Sequence, residues 1–153
     1  MTLRIYNEMA EEMADAAAVD IQATTTNNVF VRIYEGPRPA VNVAPSGTTP
    51  AGVLIAEYDV GATPFGATPA AVASGSGATH SVSGLPLSDD ALAAFDFNAN
   101  GGYGLIFKRD GTIGYTGSLG AAGSGADFEV TPLSGAIALT LTLTAASFTV
   151  PQS

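Results

Sequence analysis

Apolar and polar residues alternate along most of this chain, and one long segment near the start breaks that rhythm. In "NVFVRIYEGPRP", Val29, Val31 and Ile33 alternate with Phe30, Arg32 and Tyr34, which is strand spacing, and Gly36-Pro37 closes the run. In "VLIAEYDV", Leu54, Ala56, Tyr58 and Val60 share one face while Glu57 and Asp59 share the other. "YGLIFKRDGTIGYTG" holds two runs of β-formers joined at Asp110-Gly111, a dipeptide suited to a type I′ hairpin turn because both central residues need positive φ. In "ADFEVTPLSG", Phe128 and Val130 are expected inward and Asp127 and Glu129 outward. The closing "AIALTLTLTAASFTV" sets Ile137, Leu139, Leu141 and Leu143 against Thr140, Thr142 and Thr144. Its apolar positions change parity by Phe148 and Val150, so a bulge is expected between Ala145 and Ser147.

The exception is "NEMAEEMADAAAVDIQA", where Met9, Met13, Ala16 and Ala17 recur at helical spacing. Glu8, Glu11 and Glu12 occupy its opening turns, Asn7 is the expected N-cap, and "TTTNN" stops it. Met9 and Met13 are taken as its packed face, and a helix this short must dock on the body or on another subunit. "LSDDALAAF" predicts one more helical turn, capped by Ser88 with Asp89 and Asp90 near its positive end. Residues 37 to 52 and 61 to 84 are rich in Gly, Pro, Ala, Ser and Thr. The first reads as a loop, and the segment 61 to 88 as loop with a weak edge strand. The expected fold is all-β: an antiparallel, jelly-roll-like β-sandwich of about seven or eight strands. An arm with a short helix over residues 1–28 would precede a sandwich domain over 29–153.

Composition narrows the function. The 153 residues carry 5 basic and 14 acidic side chains, a formal net charge of -9, which repels phosphate backbones and anionic lipid. Nucleic acid and membrane surfaces are therefore poor partners. There is no cysteine and one histidine, so thiolate chemistry is excluded and a structural zinc site is improbable. No apolar run reaches bilayer length and the start lacks a signal-peptide pattern, so the chain is expected to be made in the cytoplasm and to stay soluble.

Candidate chemistry is thin. In "DFNANGG", Asp96, Asn98, Asn100 and Gly101 match the first oxygen-ligand positions and the glycine of a calcium loop, but Phe107 stands where a bidentate Glu belongs. His80 lies in a Ser/Gly/Thr stretch with no Gly-x-Ser-x-Gly to supply a nucleophile, and reads as a surface or satisfied histidine. "GSLGAAGSG" lacks the Lys-Ser/Thr of a phosphate loop. No nucleophile, base and orienting group can be named together, no cofactor is implied, and an enzyme ranks last.

Taken together, "LRIYNEMAEEMADAAAVDI", "VRIYEGPRPA", "GVLIAEYDV", "FGA", "GLIFKRDGTIGYTGSLG" and "ALTLTLTAASFTVP" occur in an order that resembles small tailed-bacteriophage virion proteins of the head decoration, or capsid cement, type. The resemblance covers most of the chain and departs in the longer Gly/Ala/Ser-rich middle, residues 61 to 88. It implies a non-enzymatic β-rich protein on the outer surface of the virion capsid, commonly a homotrimer, whose partner is the major capsid protein. Arg4, Met9, Met13, Arg32, Arg38, Lys108 and Arg109 are the candidate interaction residues, Arg4 and Arg32 belonging to two matching Arg-Ile-Tyr words. The alternatives are a carbohydrate- or receptor-binding β-sandwich module and a structural protein of the tail or neck.

Overall fold

The computed structural model describes residues 6–23, 28–39, 52–74, 77–90, 96–108 and 114–151. One helix, α1 (Asn7–Gln22), precedes eleven strands: β1 (Val29–Glu35), β2 (Val53–Gly61), β3 (Val72–Ser74), β4 (Gly77–Ser81), β5 (Leu87–Asp90), β6 (Phe97–Asn98), β7 (Tyr103–Lys108), β8 (Gly114–Ala121), β9 (Phe128–Thr131), β10 (Ser134–Gly135) and β11 (Thr140–Pro151). Nine strands form one large sheet in the order β2-β1-β7-β8-β9-β11-β4-β3, with β5 also paired to β11; β6 and β10 form a small second sheet. The large sheet does not close on itself. It curls far enough for the Tyr58 hydroxyl of β2 to donate to the Leu141 carbonyl of β11 at 2.9 Å.

The expectation of seven or eight antiparallel strands is corrected twice, because the described residues form eleven and the large sheet is mixed. β8 and β9 run parallel, Leu119 opposite Phe128 and Ala121 opposite Val130. Alternation along a strand does not encode its neighbour's direction, and strands of two or three residues are too short to show a period. A parallel crossover ordinarily needs about a dozen residues or more, yet residues 122–127 make this one. Side chains brace it from both ends. The Glu129 carboxylate accepts the amides of Gly123 (2.7 Å) and Gly125 (2.6 Å), and Asp127 Oδ2 accepts the amide and hydroxyl of Ser118, both at 2.8 Å. Glu129 is thus nearly buried rather than outward, and the two glycine amides hold its carboxyl below its ordinary range.

Phe128 and Val130 do point inward, as their spacing requires. Across the hairpin formed by β7 and β8, Gly104 sits opposite Gly117. The Phe128 ring occupies the slot those glycines leave: a Cβ on Gly104 would fall 2.1 Å from Phe128 Cγ, and one on Gly117 would fall 2.8 Å from Phe128 Cε2. β2 carries a register shift opposite Ile33 and Tyr34, where Ile55 is the extra residue. Ile55, Ala56 and Tyr58 consequently all join the main core, while Leu54 turns to the other face of the sheet. That face carries a second cluster of Tyr34, Tyr103, Leu105 and Phe107, with Tyr34 and Tyr103 stacked at 5.1 Å. β11 does carry a register shift, but it falls between Leu143 and Ala145, just before residues 145–147, where it was expected.

Three further expectations are overturned. The segment 61 to 88 is loop and edge strand only in part: β3 is the short edge strand expected there, but β4 lies inside the sheet between β11 and β3, and Pro64, Phe65, Ala78, His80 and Val82 are buried. Small residues hid it, since the strand buries a histidine and an alanine instead of large aliphatics. Residues 87–90 form β5 on the edge of β11, not a capped helical turn, with the Ser88 and Thr142 hydroxyls sharing a hydrogen bond at 2.9 Å. Residues 91–95 lie outside the described residues. Ile137 and Leu139 are exposed, because β11 begins only at Thr140 and the preceding turn places Ala138 at φ 59. The Asp110-Gly111 turn and residues 40–51 also lie outside the described residues.

Candidate interaction surface

α1 docks on β4, β3 and β11 through alanines. Ala10, Ala14, Ala18 and Ile21 are buried, one residue per turn down a single stripe. Small side chains let the helix axis approach the sheet closely, so packing there leaves no room for Met9 or Met13. This corrects the packed face inferred from the sequence: Met9 is 50% exposed, Met13 47% and Tyr6 77%. The rule that methionine at helical spacing marks a core face failed because alanines at the neighbouring spacing serve that role. The cap is corrected as well. Tyr6, in extended conformation, is the N-cap residue and makes no side-chain capping bond, although its carbonyl accepts the Ala10 amide at 3.0 Å. Asn7 is the first helical residue.

Polar contacts fix the helix at two further points. Asp15 Oδ1 accepts from His80 Nε2 and from the Ala71 amide, both at 2.8 Å. The buried His80 ring packs against Phe65 and Phe148, with centroids 5.6 and 5.5 Å away. His80 is therefore a satisfied core histidine that ties α1 to β4. At the last residue of the helix, the Gln22 side chain accepts the Phe65 amide (2.7 Å) and donates to the Gly66 carbonyl (3.1 Å). With its inner face sealed and both polar tethers satisfied, α1 is held rigidly enough to present its outer face at a fixed angle.

That outer face is apolar along one line. Tyr6, Met9, Met13 and Ala16 follow each other at helical spacing and are all exposed. Glu8 and Glu12, also exposed, flank the line on the side away from the body, and Asp20 continues it toward the C-terminal end. No Lys, Arg or His occurs within α1. Tyr6 was overlooked in the sequence as the last letter of an Arg-Ile-Tyr word; its place one helical turn before Met9 was the signal.

The remaining candidates fall elsewhere. Arg32 is committed within the chain: its Nε donates to Glu57 Oε2 at 2.5 Å and its guanidinium carbon lies 4.6 Å from the centre of the Phe107 ring. Burial by itself would lower its pKa, but the hydrogen bonds and charges of Glu57 and Tyr34 together outweigh burial and raise it. Arg38 donates from Nε to Thr116 Oγ1 at 3.2 Å on an exposed site. Lys108 ends β7 opposite Val29, whereas Arg4 and Arg109 lie outside the described residues. In the calcium-like loop, Asp96 Oδ1 accepts the Ile137 amide (3.3 Å) and Asn98 Oδ1 accepts the Asn100 amide (3.0 Å), so these oxygens brace turns. Asn98 itself sits on β6, with its amide donating to Glu35, and Phe107 lies in β7. Among the described residues no three His, Asp or Glu side chains gather where they could hold a metal ion, and no helix is long and apolar enough to cross a membrane.

No family model, no curated protein and no solved structure matches the chain.

Proposed function

We propose that this chain is a non-enzymatic structural protein of a phage virion, a decoration or cement protein that binds the outer surface of the assembled head. The observation that carries the reading is the helix just described: a rigidly docked α1 whose outer line of Tyr6, Met9 and Met13 is exposed. Large apolar side chains exposed in a contiguous line mark interaction surfaces more often than accidents of composition. The resemblance of the sequence words to head decoration proteins supplies the partner, the major capsid protein, and the expectation of a homotrimer.

Within the same reading the curled sheet is a β-sandwich. Support comes from the Tyr58–Leu141 hydrogen bond across the core and from the one apolar cluster that draws on β1, β2, β7, β9 and β11 together. A cement protein acts by mass action: binding only the expanded lattice stabilises that lattice by its differential affinity, multiplied over many copies. Such work needs a fixed surface and no chemistry.

The test is binding of the purified chain to phage heads stripped of decoration, in expanded and unexpanded forms. Saturable binding to expanded heads alone is expected, and binding to neither form refutes the proposal. A glycan array run in parallel registers the carbohydrate-binding alternative, which gains nothing from the aromatics of the second cluster because Tyr34, Tyr103 and Phe107 are buried.

A further inference from the structure

We infer that the α1 face docks onto an apolar patch rimmed by Lys and Arg on a different protein, and not onto a second copy of this chain. This deepens the decoration reading, which supplies only the identity of the protein that carries the patch. The geometry comes from the helix. Tyr6, Met9, Met13 and Ala16 follow a spacing of three, four and three residues and form one line of about 15 Å along the axis. Met is unbranched and adapts to irregular surfaces, and the Tyr ring brings large apolar area with a polar tip. None of these side chains is needed to hold α1 in place, because Ala10, Ala14, Ala18 and Ile21 fill the interface with the sheet.

Charge selects the partner. Glu8, Glu12 and Asp20 border the apolar line, and α1 contains no cation to neutralise them. Asp20 stands in the last turn, where the helix dipole disfavours an anion. The residue therefore costs the isolated helix stability and gains it only beside a positive charge. A second copy of this chain cannot readily supply one. Its net charge is -9 and it has five basic residues, of which Arg32 is held by Glu57 and Phe107. Two α1 faces brought together would place acidic rims against each other, a like-charge contact that discriminates against self-pairing. An apolar patch edged with Lys or Arg on another protein satisfies both the line and the rim.

Two sets of substitutions separate the contributions. Met9→Ser with Met13→Ser removes the line at constant charge, and Glu8→Gln, Glu12→Gln with Asp20→Asn removes the rim at constant shape; Val53→Ser, on the distant edge strand β2, is the control. Circular dichroism and thermal melting establish that each variant folds, which is expected because every altered side chain is exposed. Binding to stripped, expanded heads is measured by co-sedimentation at several salt concentrations. At least a tenfold loss is expected for either set, with the salt dependence flattened by the second set alone, and no change for Val53→Ser. Unchanged binding in the Met variant overturns the inference. So does a self-associated species in sedimentation velocity that the Met variant dissolves.

A second arm uses the full chain with two fluorescent amphipathic helical peptides, one built of Leu and Lys and one of Leu and Glu. Preference for the Leu/Lys peptide that vanishes in the Met variant upholds the inference. Equal binding of both peptides, or binding indifferent to Met9 and Met13, overturns it. If the wild-type chain binds no heads, the decoration reading falls while this arm still decides the chemistry of the face.

Discussion

Replacing Gly104 with alanine adds one methyl group to the centre of the molecule, where the Phe128 ring lies against the strand. The new Cβ would stand 2.1, 2.3 and 2.6 Å from Phe128 Cγ, Cδ2 and Cδ1. Carbon atoms prefer about 3.5–4.0 Å, so the ring must retreat by roughly 1.5 Å. It has nowhere to go: Phe128 is fully buried, and its far edge already lies over Gly117. Overpacking of this kind costs typically 1–3 kcal/mol, and the closeness of three ring atoms places the substitution at the upper end, about 3 kcal/mol. For a chain of this size that is a fall in Tm of about 6–12 °C. The assay is urea and thermal unfolding followed by far-ultraviolet circular dichroism. Combining Gly104→Ala with Phe128→Leu should restore part of the loss, giving a favourable coupling of about 1 kcal/mol or more in the double-mutant cycle. A Gly104→Ala protein within about 0.5 kcal/mol of the parent would refute the slot.

Four other outcomes follow from the positions of named side chains. Asp15→Ala leaves the buried His80 ring and the Ala71 amide without their common acceptor, and should cost about 1–3 kcal/mol while speeding amide exchange at Ala71; Met13→Ser, by contrast, should leave stability within about 0.5 kcal/mol of the parent. Glu129 has its carboxyl held below the ordinary range by the Gly123 and Gly125 amides, so its contribution is present above the unfolded pKa and disappears as pH falls through the lower folded value. Glu129→Gln should therefore shrink the difference in melting temperature between pH 7 and pH 3. Tyr103 is pushed up to about 12 by burial, with Tyr34 a lesser cause. Its contribution is complete below the unfolded value near 10 and fades as pH climbs toward the folded one. Tyr103→Phe should flatten that alkaline loss, read by melting temperature from pH 9 to 12.

Strands were legible wherever alternation met a strong contrast, as in Val29, Val31 and Ile33 or Leu141 and Leu143. The β11 bulge was legible because a change of parity can only be absorbed by an extra residue. What escaped the sequence escaped for physical reasons. β4 buries Ala78 and His80, whose side chains carry little hydropathy contrast, so an interior strand looked like a loop. The parallel pairing of β8 and β9 depends on Glu129 and Asp127 gripping amides several residues away, and alternation reads any acidic residue between apolar ones as solvent-facing. In α1 the segment was legible and its facing was not, since alanine packs by being small and methionine draws attention by being large. Met9 and Met13 were named among the interaction residues, while the helical spacing made them the packed face of a helix docked on the body or on another subunit, and the body takes the alanine face instead. Arg32 was named with them, and its guanidinium is held within the chain by Glu57 and the Phe107 ring.

The most direct test of the account is an electron cryomicroscopy map of expanded phage heads incubated with the purified chain. The account predicts added density on the outer surface, with α1 between the β body and the shell and Met9 and Met13 within contact distance of capsid residues flanked by Lys or Arg. Heads without added density, or bound copies whose α1 faces solvent, would contradict it.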